Sequence, residues 1–374
     1  MTQPIWFNRP AFVGRELDYM REAVERGTIS GDGAFTKRCH TLLEEITGAR
    51  KALLTTSCTH ALEMAALLLD IQPGDEVICP AFTFVSTVNA FVLRGARPVF
   101  VDIRPDTLNL DERALEQAIT PRTRAILIVH YGGVGCDMDA IAAIAAAHGI
   151  PIVEDNAHGL FGHYKAKPLG SFGALATLSF HETKNVTCGE GGALVINDDR
   201  FVERAEVLRE KGTNRTRFFR GQIDRYTWVD VGSSYLPSDL LAAYLWAQLE
   251  ARDRIQSRRQ AIWRRYAADL AGCGLPTPTV PGGCEHPAHL FYLLMPSRAA
   301  RTRLIDGMRA RQILLVFHYQ PLHLSEMGLR LGGQAGQCPV TEDVADRLVR
   351  LPLYFQLQDE EQTRVIESVY EILR

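Results

Sequence analysis

Short apolar runs alternate with longer segments of helical character through the first half of the chain. Strand-like runs occupy residues 52–54, 76–79, 98–101, 124–130, 150–153 and 174–180. Helices are predicted between them at residues 59–70, 86–94 and 137–148, and another opens at residue 111. This alternation predicts an α/β fold built of βα units, with a mainly parallel sheet and right-handed crossovers.

The pattern changes after Gly192. A helix is predicted at 200–211, followed by a polar, arginine-containing stretch and by one or two long helices over 238–270. The last third of the chain has strand-like runs at 289–295 and 313–317 and helical segments at 298–311, 341–348 and 359–373. We therefore predict a large domain of residues 1–250 and a smaller C-terminal domain of residues 251–374.

Composition excludes several classes of protein. The net charge of −3 argues against a broad nucleic-acid surface, and no stretch approaches the roughly 18 apolar residues of a membrane span. The first residues have neither a basic nor an apolar region, so we expect no signal peptide. The eight cysteines form no close C-x-x-C pair. We expect a reduced, cytoplasmic protein without a zinc site.

Candidate chemistry begins with Asp155 and Lys184. Asp155 follows the apolar run 150–153, and Lys184 follows the run 174–180 and precedes a cluster of glycines. Ligands of open α/β sheets bind outside the carboxyl ends of the strands, so both side chains should face one crevice. A lysine and a carboxylate are what pyridoxal phosphate requires for its Schiff base and its pyridinium nitrogen. Taken singly, each residue is as readily explained as a turn aspartate or a solvated lysine.

Further candidates lie at other strand ends. Ser57 and Cys58 belong to a small polar turn before a helix, where free N–H groups can bind phosphate, and Ser179 could add a hydroxyl. Phe84 follows a strand and could stack on a pyridine ring, and His158 could reach the ring hydroxyl. The alternatives are an ordinary helix cap, small packing residues, a core phenylalanine and a plain histidine.

Together these motifs resemble the DegT/DnrJ/EryC1/StrS family of sugar aminotransferases over nearly the whole chain. The resemblance rests on the segments 27–31, 80–84, 154–158, 179–185 and 318–323. It implies the fold of aspartate aminotransferase (fold type I), with a small C-terminal α+β domain, and pyridoxal 5'-phosphate as cofactor. It also implies that Lys184 forms the Schiff base, Asp155 pairs with the pyridinium, Phe84 stacks on the ring and His158 lies near its hydroxyl. Ser57, Cys58 and Ser179 would hold the phosphate.

A finer resemblance, in the segments 179–185, 189–193, 209–215, 232–236, 238–240 and 242–250, is to family members that aminate C4 of TDP-4-keto-6-deoxyglucose. It implies that L-glutamate donates the amino group to a nucleotide-linked sugar and that the protein is a homodimer with active sites at the interface. His318 and Tyr319 are candidate substrate residues. The closest competing function is that of a sugar dehydratase of the same fold, but those enzymes have histidine at the lysine position. Two more distant classes also stay open, a non-catalytic sensor and a plain structural protein.

The chain departs from the family pattern at Leu236. Many members carry Gly-Tyr-Lys-Tyr-Asn where this chain has residues 232–236, and their asparagine reaches the partner subunit's cofactor phosphate. Leucine cannot make that contact. Arg215, Arg217 and Arg220 are candidates to bind a phosphate instead, since arginine suits phosphate. The alternative is a solvated basic loop.

Overall fold

The structure, a computed structural model, describes residues 3–374. The first two residues lie outside the described part. The expectation that the chain has no signal peptide rests in part on these two residues. The strands are β1 Lys51–Thr55, β2 Glu76–Pro80, β3 Arg97–Val101, β4 Thr123–Val129, β5 Ile152–Asp155, β6 His163–Tyr164, β7 Lys167–Pro168, β8 Leu175–Ser179, β9 Gly192–Ile196, β10 Cys284–Glu285, β11 Tyr292–Leu294 and β12 Leu348–Arg350.

The helices of the first 250 residues are α1 Glu16–Glu25, α2 Ala34–Thr47, α3 Cys58–Leu68, α4 Val85–Val92, α5 Glu112–Ala118, α6 Met138–His148, α7 Val202–Arg209, α8 Arg215–Phe219 and α9 Asp239–Glu250. Those that follow are α10 Arg252–Asp269, α11 Arg298–Ala310, α12 Glu326–Arg330, α13 Pro339–Arg347 and α14 Asp359–Leu373. No helix of the described residues is both long and apolar enough to cross a membrane.

A seven-stranded sheet in the order β1-β9-β8-β5-β4-β2-β3 forms the centre of the molecule. The neighbours from β8 to β3 pair in parallel, and β9 is antiparallel to both β1 and β8. The predicted α/β fold with a mainly parallel sheet is confirmed. The sequence pattern does not identify β9, because its residues follow directly on the glycine cluster. β1 runs in the same direction as β8, so five other strands end at the same edge as β5.

Both faces of this sheet are buried, as expected of a parallel sheet covered by helices. Alternate residues of β1 show the division: Leu53 packs with α3, α4 and α7, whereas Ala52 and Leu54 pack with α2 and α9. The helices α1 and α2 precede β1 and are not identified by the sequence pattern. α1 and α2 both pack on α9. The sheet is thereby fixed between two layers, and its strand ends are rigid supports for side chains.

The C-terminal part has a separate hydrophobic core, formed by Ile5 with residues of α10, α11, α14 and the β11–β12 ribbon. The predicted strand at 313–317 is wrong. Only Ile313 and Val316 form single bridges there, to Ile5 and to Arg350, because the two ends of this segment pair with different partners. The long helical segment breaks at Ala251, between α9 and α10. The division into domains at residue 250 stays a prediction.

Candidate active site

A cavity of about 610 Å³ opens at the carboxyl ends of β1, β5 and β8. This volume lies within the range of small-molecule sites, and the position is where open α/β sheets bind ligands. Nine of the twelve predicted site residues line it: Ser57, Cys58, Phe84, Asp155, His158, Ser179, Lys184, His318 and Tyr319. The fold therefore brings together residues from five separate segments of the chain.

Lys184 lies in the loop between β8 and β9. Its backbone N–H donates a hydrogen bond to the carbonyl of His181 (2.9 Å), and the neighbouring Asn185 amide donates to the carbonyl of Pro287 (2.7 Å). Burial lowers the pKa of the Lys184 amine to about 8, although Cys58 and Asp155 oppose this shift. A lysine amine with such a pKa is partly neutral near physiological pH and can act as a nucleophile or a base.

Asp155 is the last residue of β5, and its carboxylate is held from two sides. Thr87 Oγ1 donates a hydrogen bond to Oδ2 (2.7 Å), and the backbone N–H of Ala157 donates to Oδ1 (3.2 Å). Burial raises the pKa of Asp155, while the Thr87 hydrogen bond and the charge of Lys184 act in the opposite direction. The carboxylate is thus fixed and largely buried, and its charge acts more strongly on a ligand than it would in bulk water.

The preceding residue, Glu154, anchors this end of β5. Its buried carboxylate is 2.8 Å from His130 Nε2 and accepts backbone N–H bonds from Gly170 (2.8 Å), Phe172 (2.7 Å) and Gly173 (2.6 Å). Adjacent strand residues point to opposite faces, so this bonding fixes Glu154 on one side and Asp155 on the other.

The turn before α3 has the donor groups that a phosphate requires. Ser57 is the N-cap of α3, and its hydroxyl accepts the N–H of His60 (3.1 Å), so the ordinary capping role is real. The first N–H groups of a helix have no intrahelical partner and attract anions. A Cβ on Gly192 would lie 2.3 Å from the backbone N of Cys58. Glycine at this position therefore lets β9 pass directly beside the start of α3.

Phe84 is not a core phenylalanine. It caps α4, is 56% exposed, and its ring centroid lies 6.2 Å from that of Tyr319. His158 is buried and stacks on His289 with centroids 4.2 Å apart, and burial holds its pKa well below the usual value, so the ring is neutral. Tyr131 OH lies 2.9 Å from His318 Nδ1. Ring stacking by Phe84 and hydroxyl contact by His158 stay predictions.

The structure does not bring Arg215, Arg217 and Arg220 to this cavity. All three are exposed on α8 and the residue after it, and each forms an ion pair with a glutamate, at 3.1 Å, 3.1 Å and 2.6 Å respectively. Leu236 does not line the cavity either. A role for these arginines in binding phosphate therefore requires another molecule and stays a prediction.

Two residues of the site are not identified from the sequence, Thr87 and Arg350. Thr87 is the third residue of α4, the helix that Phe84 caps, and its hydroxyl reaches the carboxylate of Asp155. Arg350 lines the cavity at the end of β12. One sequence feature could have identified Arg350: it is the one charged residue in the apolar run 348–354.

The hydroxyl and amide donors before α3, the fixed carboxylate of Asp155 and the partly neutral amine of Lys184 fit pyridoxal phosphate. Solved structures of high similarity support this fit. A putative sugar aminotransferase of Streptococcus pneumoniae, Spr1654, was solved in forms with pyridoxal phosphate and with pyridoxamine phosphate. Its pyridoxamine form is 28% identical with a TM-score of 0.93, and the match covers 99% of both chains. The fold and site define a pyridoxal-phosphate-dependent aminotransferase of fold type I, which confirms the predicted fold and cofactor.

Sequence similarity also identifies the family within this class. The model of the DegT/DnrJ/EryC1/StrS aminotransferase family matches residues 11–370, and the chain belongs to this family. It is 34% identical to the spore coat polysaccharide biosynthesis protein SpsC of Bacillus subtilis, over 98% of this chain and 97% of that protein. It is also 30% identical to DesV of S. venezuelae, solved in complex with a ketimine intermediate, with a TM-score of 0.91 over 100% of this chain and 99% of DesV. The protein is a sugar aminotransferase.

Proposed function

We propose that the protein transfers an amino group from L-glutamate to the C4 keto group of a nucleotide-linked 4-keto-6-deoxy sugar. The specific reaction proposed is conversion of TDP-4-keto-6-deoxyglucose to TDP-4-amino-4,6-dideoxygalactose. The observation that carries a transamination is the amine of Lys184, its pKa lowered by burial, in one cavity with the fixed carboxylate of Asp155. The choice of sugar rests on the finer sequence resemblance in the segments 179–185, 189–193, 209–215, 232–236, 238–240 and 242–250, and the choice of donor rests on the family resemblance.

The residues of the cavity have different roles in the proposed transamination. Bound pyridoxal phosphate supplies an electron sink that stabilises negative charge on the carbon next to the amino group. Asp155 keeps the pyridine nitrogen protonated, which makes that sink effective. Lys184 removes the proton from the α-carbon of the donor and supplies a proton to the sugar carbon in the second half-reaction. Ser57, Ser179 and the N–H groups at the start of α3 bind the phosphate.

The test of this function is identification of the product. Protein loaded with cofactor should convert TDP-4-keto-6-deoxyglucose and L-glutamate to a nucleotide sugar with an axial amine at C4, the galactose configuration. NMR distinguishes this product from the equatorial amine of the glucose configuration, which would contradict the specific reaction. Formation of 2-oxoglutarate in the same mixture identifies the donor. Amination at C3, or no reaction with this sugar while another keto sugar reacts, would contradict the specific reaction.

The rate at which the protein takes up its cofactor should depend on pH through Lys184. The amine must be neutral to attack the cofactor's aldehyde, and its pKa is about 8. Because the neutral fraction grows as pH rises towards the pKa, uptake should accelerate up to about pH 8 and level off above it. Stopped-flow absorbance of the cofactor-free protein mixed with pyridoxal phosphate measures this. A rate still rising steeply between pH 9 and 10 would indicate an ordinary lysine.

We also propose a cytoplasmic homodimer whose active sites lie at the interface. The segment that carries the three arginines also exposes large apolar side chains, including Phe219 (69% exposed) and Trp228 (77% exposed). Exposed aromatic residues beside arginines are typical of protein interfaces. Such an interface would bring the basic segment of one subunit towards the cavity of the other.

Single replacements of Arg215, Arg217 and Arg220 by alanine test this arrangement. An arginine that binds the nucleotide should, when removed, raise the KM for the sugar and leave the glutamate half-reaction intact. One that binds the cofactor phosphate should instead increase cofactor dissociation. Each loss should be about 10-fold or more, typical of a hydrogen bond to a charged group. Three variants with unchanged cofactor retention and sugar KM would identify a solvated loop, and a fully active monomer in sedimentation would contradict the dimer.

A further inference from the structure

Two buried histidine rings, those of His158 and His289, lie side by side in the wall of the cavity. Their centroids are 4.2 Å apart and their planes are inclined by 24°. Burial holds the pKa of each ring well below its usual value, and the charge of Lys184 adds to this effect. Both rings are therefore neutral, so each has one nitrogen that donates a hydrogen bond and one that accepts.

The tautomer of His289 is set by Asn185, the residue next to Lys184. The amide nitrogen of Asn185 donates to the carbonyl of Pro287 (2.7 Å), which turns the amide oxygen towards His289. That oxygen can only accept a hydrogen bond, and it lies 3.0 Å from His289 Nδ1. Nδ1 must therefore carry the proton of the ring, and Nε2 keeps a free lone pair.

His158 has the opposite tautomer. Its Nδ1 accepts a hydrogen bond from the backbone N–H of Gly132 (3.3 Å), so its proton lies on Nε2. The stacked pair thus offers one N–H donor, from His158, and one acceptor, from His289. The donor fits the predicted contact of His158 with the ring hydroxyl of the cofactor. The acceptor has no partner among residues 3–374, and it is not completely enclosed by protein atoms.

Burial of a histidine does not by itself leave an acceptor open in this chain. His130 is fully buried outside the cavity, and both of its ring nitrogens have partners. Its Nδ1 accepts the backbone N–H of Cys136 (3.2 Å), and its Nε2 lies 2.8 Å from the carboxylate of Glu154. His289 differs because its second nitrogen belongs to the cavity wall, where a ligand can supply the missing donor.

The two substrates differ in what they could donate to His289. L-Glutamate has two carboxylates, which accept hydrogen bonds, and an amine that is consumed in the reaction. A keto sugar instead has a hydroxyl on the carbon next to its keto group. Because Asn185 connects His289 to the residue beside Lys184, the ring lies near the carbon on which Lys184 acts. An acceptor at this place fits the sugar and not the amino donor.

We propose that Nε2 of His289 accepts a hydrogen bond from the C3 hydroxyl of the sugar, beside the carbon that is aminated. This inference rests on the proposed amination at C4. The contact fixes the sugar relative to Lys184 and discriminates against keto sugars without the hydroxyl. His289 is only 8% exposed, so a bound sugar that lacks the hydroxyl would leave its lone pair without a donor, which is costly.

His289→Asn and His289→Gln separate the acceptor from the other contacts of the ring. In His289→Asn the amide nitrogen can replace Nδ1 as the donor to Asn185, but no atom reaches the position of Nε2. In His289→Gln the longer side chain can place its amide oxygen there and restore an acceptor. Both variants lose the stacked ring, so a difference between them reports the acceptor alone.

His286→Asn is the matched control. His286 lies in the same loop as His289 and also packs on an aromatic ring, that of Trp263, but it does not line the cavity. Its Nδ1 accepts the backbone N–H of Ala288 (3.1 Å), and the amide oxygen of asparagine can accept that bond instead. This variant should therefore behave as wild type.

Each cofactor-loaded variant is mixed separately with L-glutamate, with TDP-4-amino-4,6-dideoxygalactose and with the 3-deoxy form of that amino sugar. The absorbance change of the cofactor follows each half-reaction. The wild-type protein should react with the 3-hydroxy sugar about 10-fold more efficiently than with the 3-deoxy sugar, the effect of one hydrogen bond. His289→Asn should lose this preference, and His289→Gln should recover part of it. The rate with L-glutamate should stay near the wild-type value in every variant.

Binding without turnover is measured with TDP-6-deoxygalactose, which has a hydroxyl in place of the amine, and with its 3-deoxy form. Calorimetry should show the same preference for the C3 hydroxyl in the wild-type protein and its loss in His289→Asn. The melting temperature and the amount of retained cofactor identify any variant that is damaged elsewhere.

Three results would overturn the inference. One is a wild-type protein without any preference, in rate or in affinity, for the 3-hydroxy sugars. Another is a preference that His289→Asn retains in full, which would assign the hydroxyl to a different residue. A third is an equal loss of both half-reactions in His289→Asn and His289→Gln, which would mean that the ring only supports His158. Failure of the wild-type protein to react with the amino sugar would contradict the proposed function separately, and the calorimetric comparison would still decide the role of His289.

Discussion

Lys184→Ala should abolish transamination while the protein still binds pyridoxal phosphate. The variant loses the only amine that lines the cavity within the described residues, but the donors before α3 and the carboxylate of Asp155 remain. One residue that moves a proton contributes on the order of 10² to 10⁴ in rate, and loss of the covalent link adds to this. Single-turnover absorbance with L-glutamate measures the loss, and equilibrium dialysis measures the retained cofactor.

Borohydride reduction of the wild-type protein gives the complementary measurement. Reduction should fix the cofactor to Lys184, and peptide mapping should find no other labelled lysine. Lys167→Ala is a suitable control, because Lys167 is exposed on β7 and lies outside the cavity. A labelled peptide that contains Lys165, Lys167 or Lys211 would contradict the assignment of Lys184.

Asp155→Asn should leave the cofactor in place and slow the proton transfer by about 10²- to 10⁴-fold. Asparagine has nearly the same shape: its Oδ1 can accept the N–H of Ala157, and its amide can donate to the Thr87 hydroxyl. It cannot hold a proton on the pyridine nitrogen, so the electron sink is lost. The visible spectrum should report the changed protonation of the ring.

Asp139→Asn is the control for this substitution. Asp139 is exposed, pairs with Lys165 and lies outside the cavity. Its replacement should leave both the spectrum and the single-turnover rate unchanged. Near-normal rates with Asp155→Asn would exclude the pyridinium role. If Asp155→Asn lost bound cofactor while the spectrum of the cofactor still bound were unchanged, Asp155 would have a role in cofactor binding alone.

Most of the site could be predicted because its residues follow recognisable strand ends. Asp155 ends a buried apolar run, and Ser57, Phe84 and Ser179 each end or follow a strand that points the same way. Parallel strands bring their carboxyl ends to one edge, so residues far apart in sequence meet there. The prediction of one crevice thus needed only the local hydrophobic pattern and a rule of topology.

The local pattern was insufficient where a residue's partner lies elsewhere in the chain. The segment 313–317 has the composition of a strand, yet Ile313 bridges to Ile5 and Val316 to Arg350, so no continuous ladder forms. β9 has apolar residues of ordinary strand character, but its place between β1 and β8 depends on Gly192 passing beside Cys58. Such pairings depend on the shape of the whole sheet.

The sequence by itself determined the βα order, the helix that follows the Ser57 turn, the placement of Asp155 at the end of a strand and that of Lys184 in the loop after one. Hydrophobic periodicity and helix capping depend on residues a few positions apart, so they can be recognised from a short stretch of sequence. Only the tertiary structure decided that Arg350 reaches the same cavity, and that Arg215, Arg217 and Arg220 pair with glutamates. A long charged side chain pairs with the opposite charge that folding brings close to it. The distance between two such side chains in the folded protein does not follow from their spacing in the sequence.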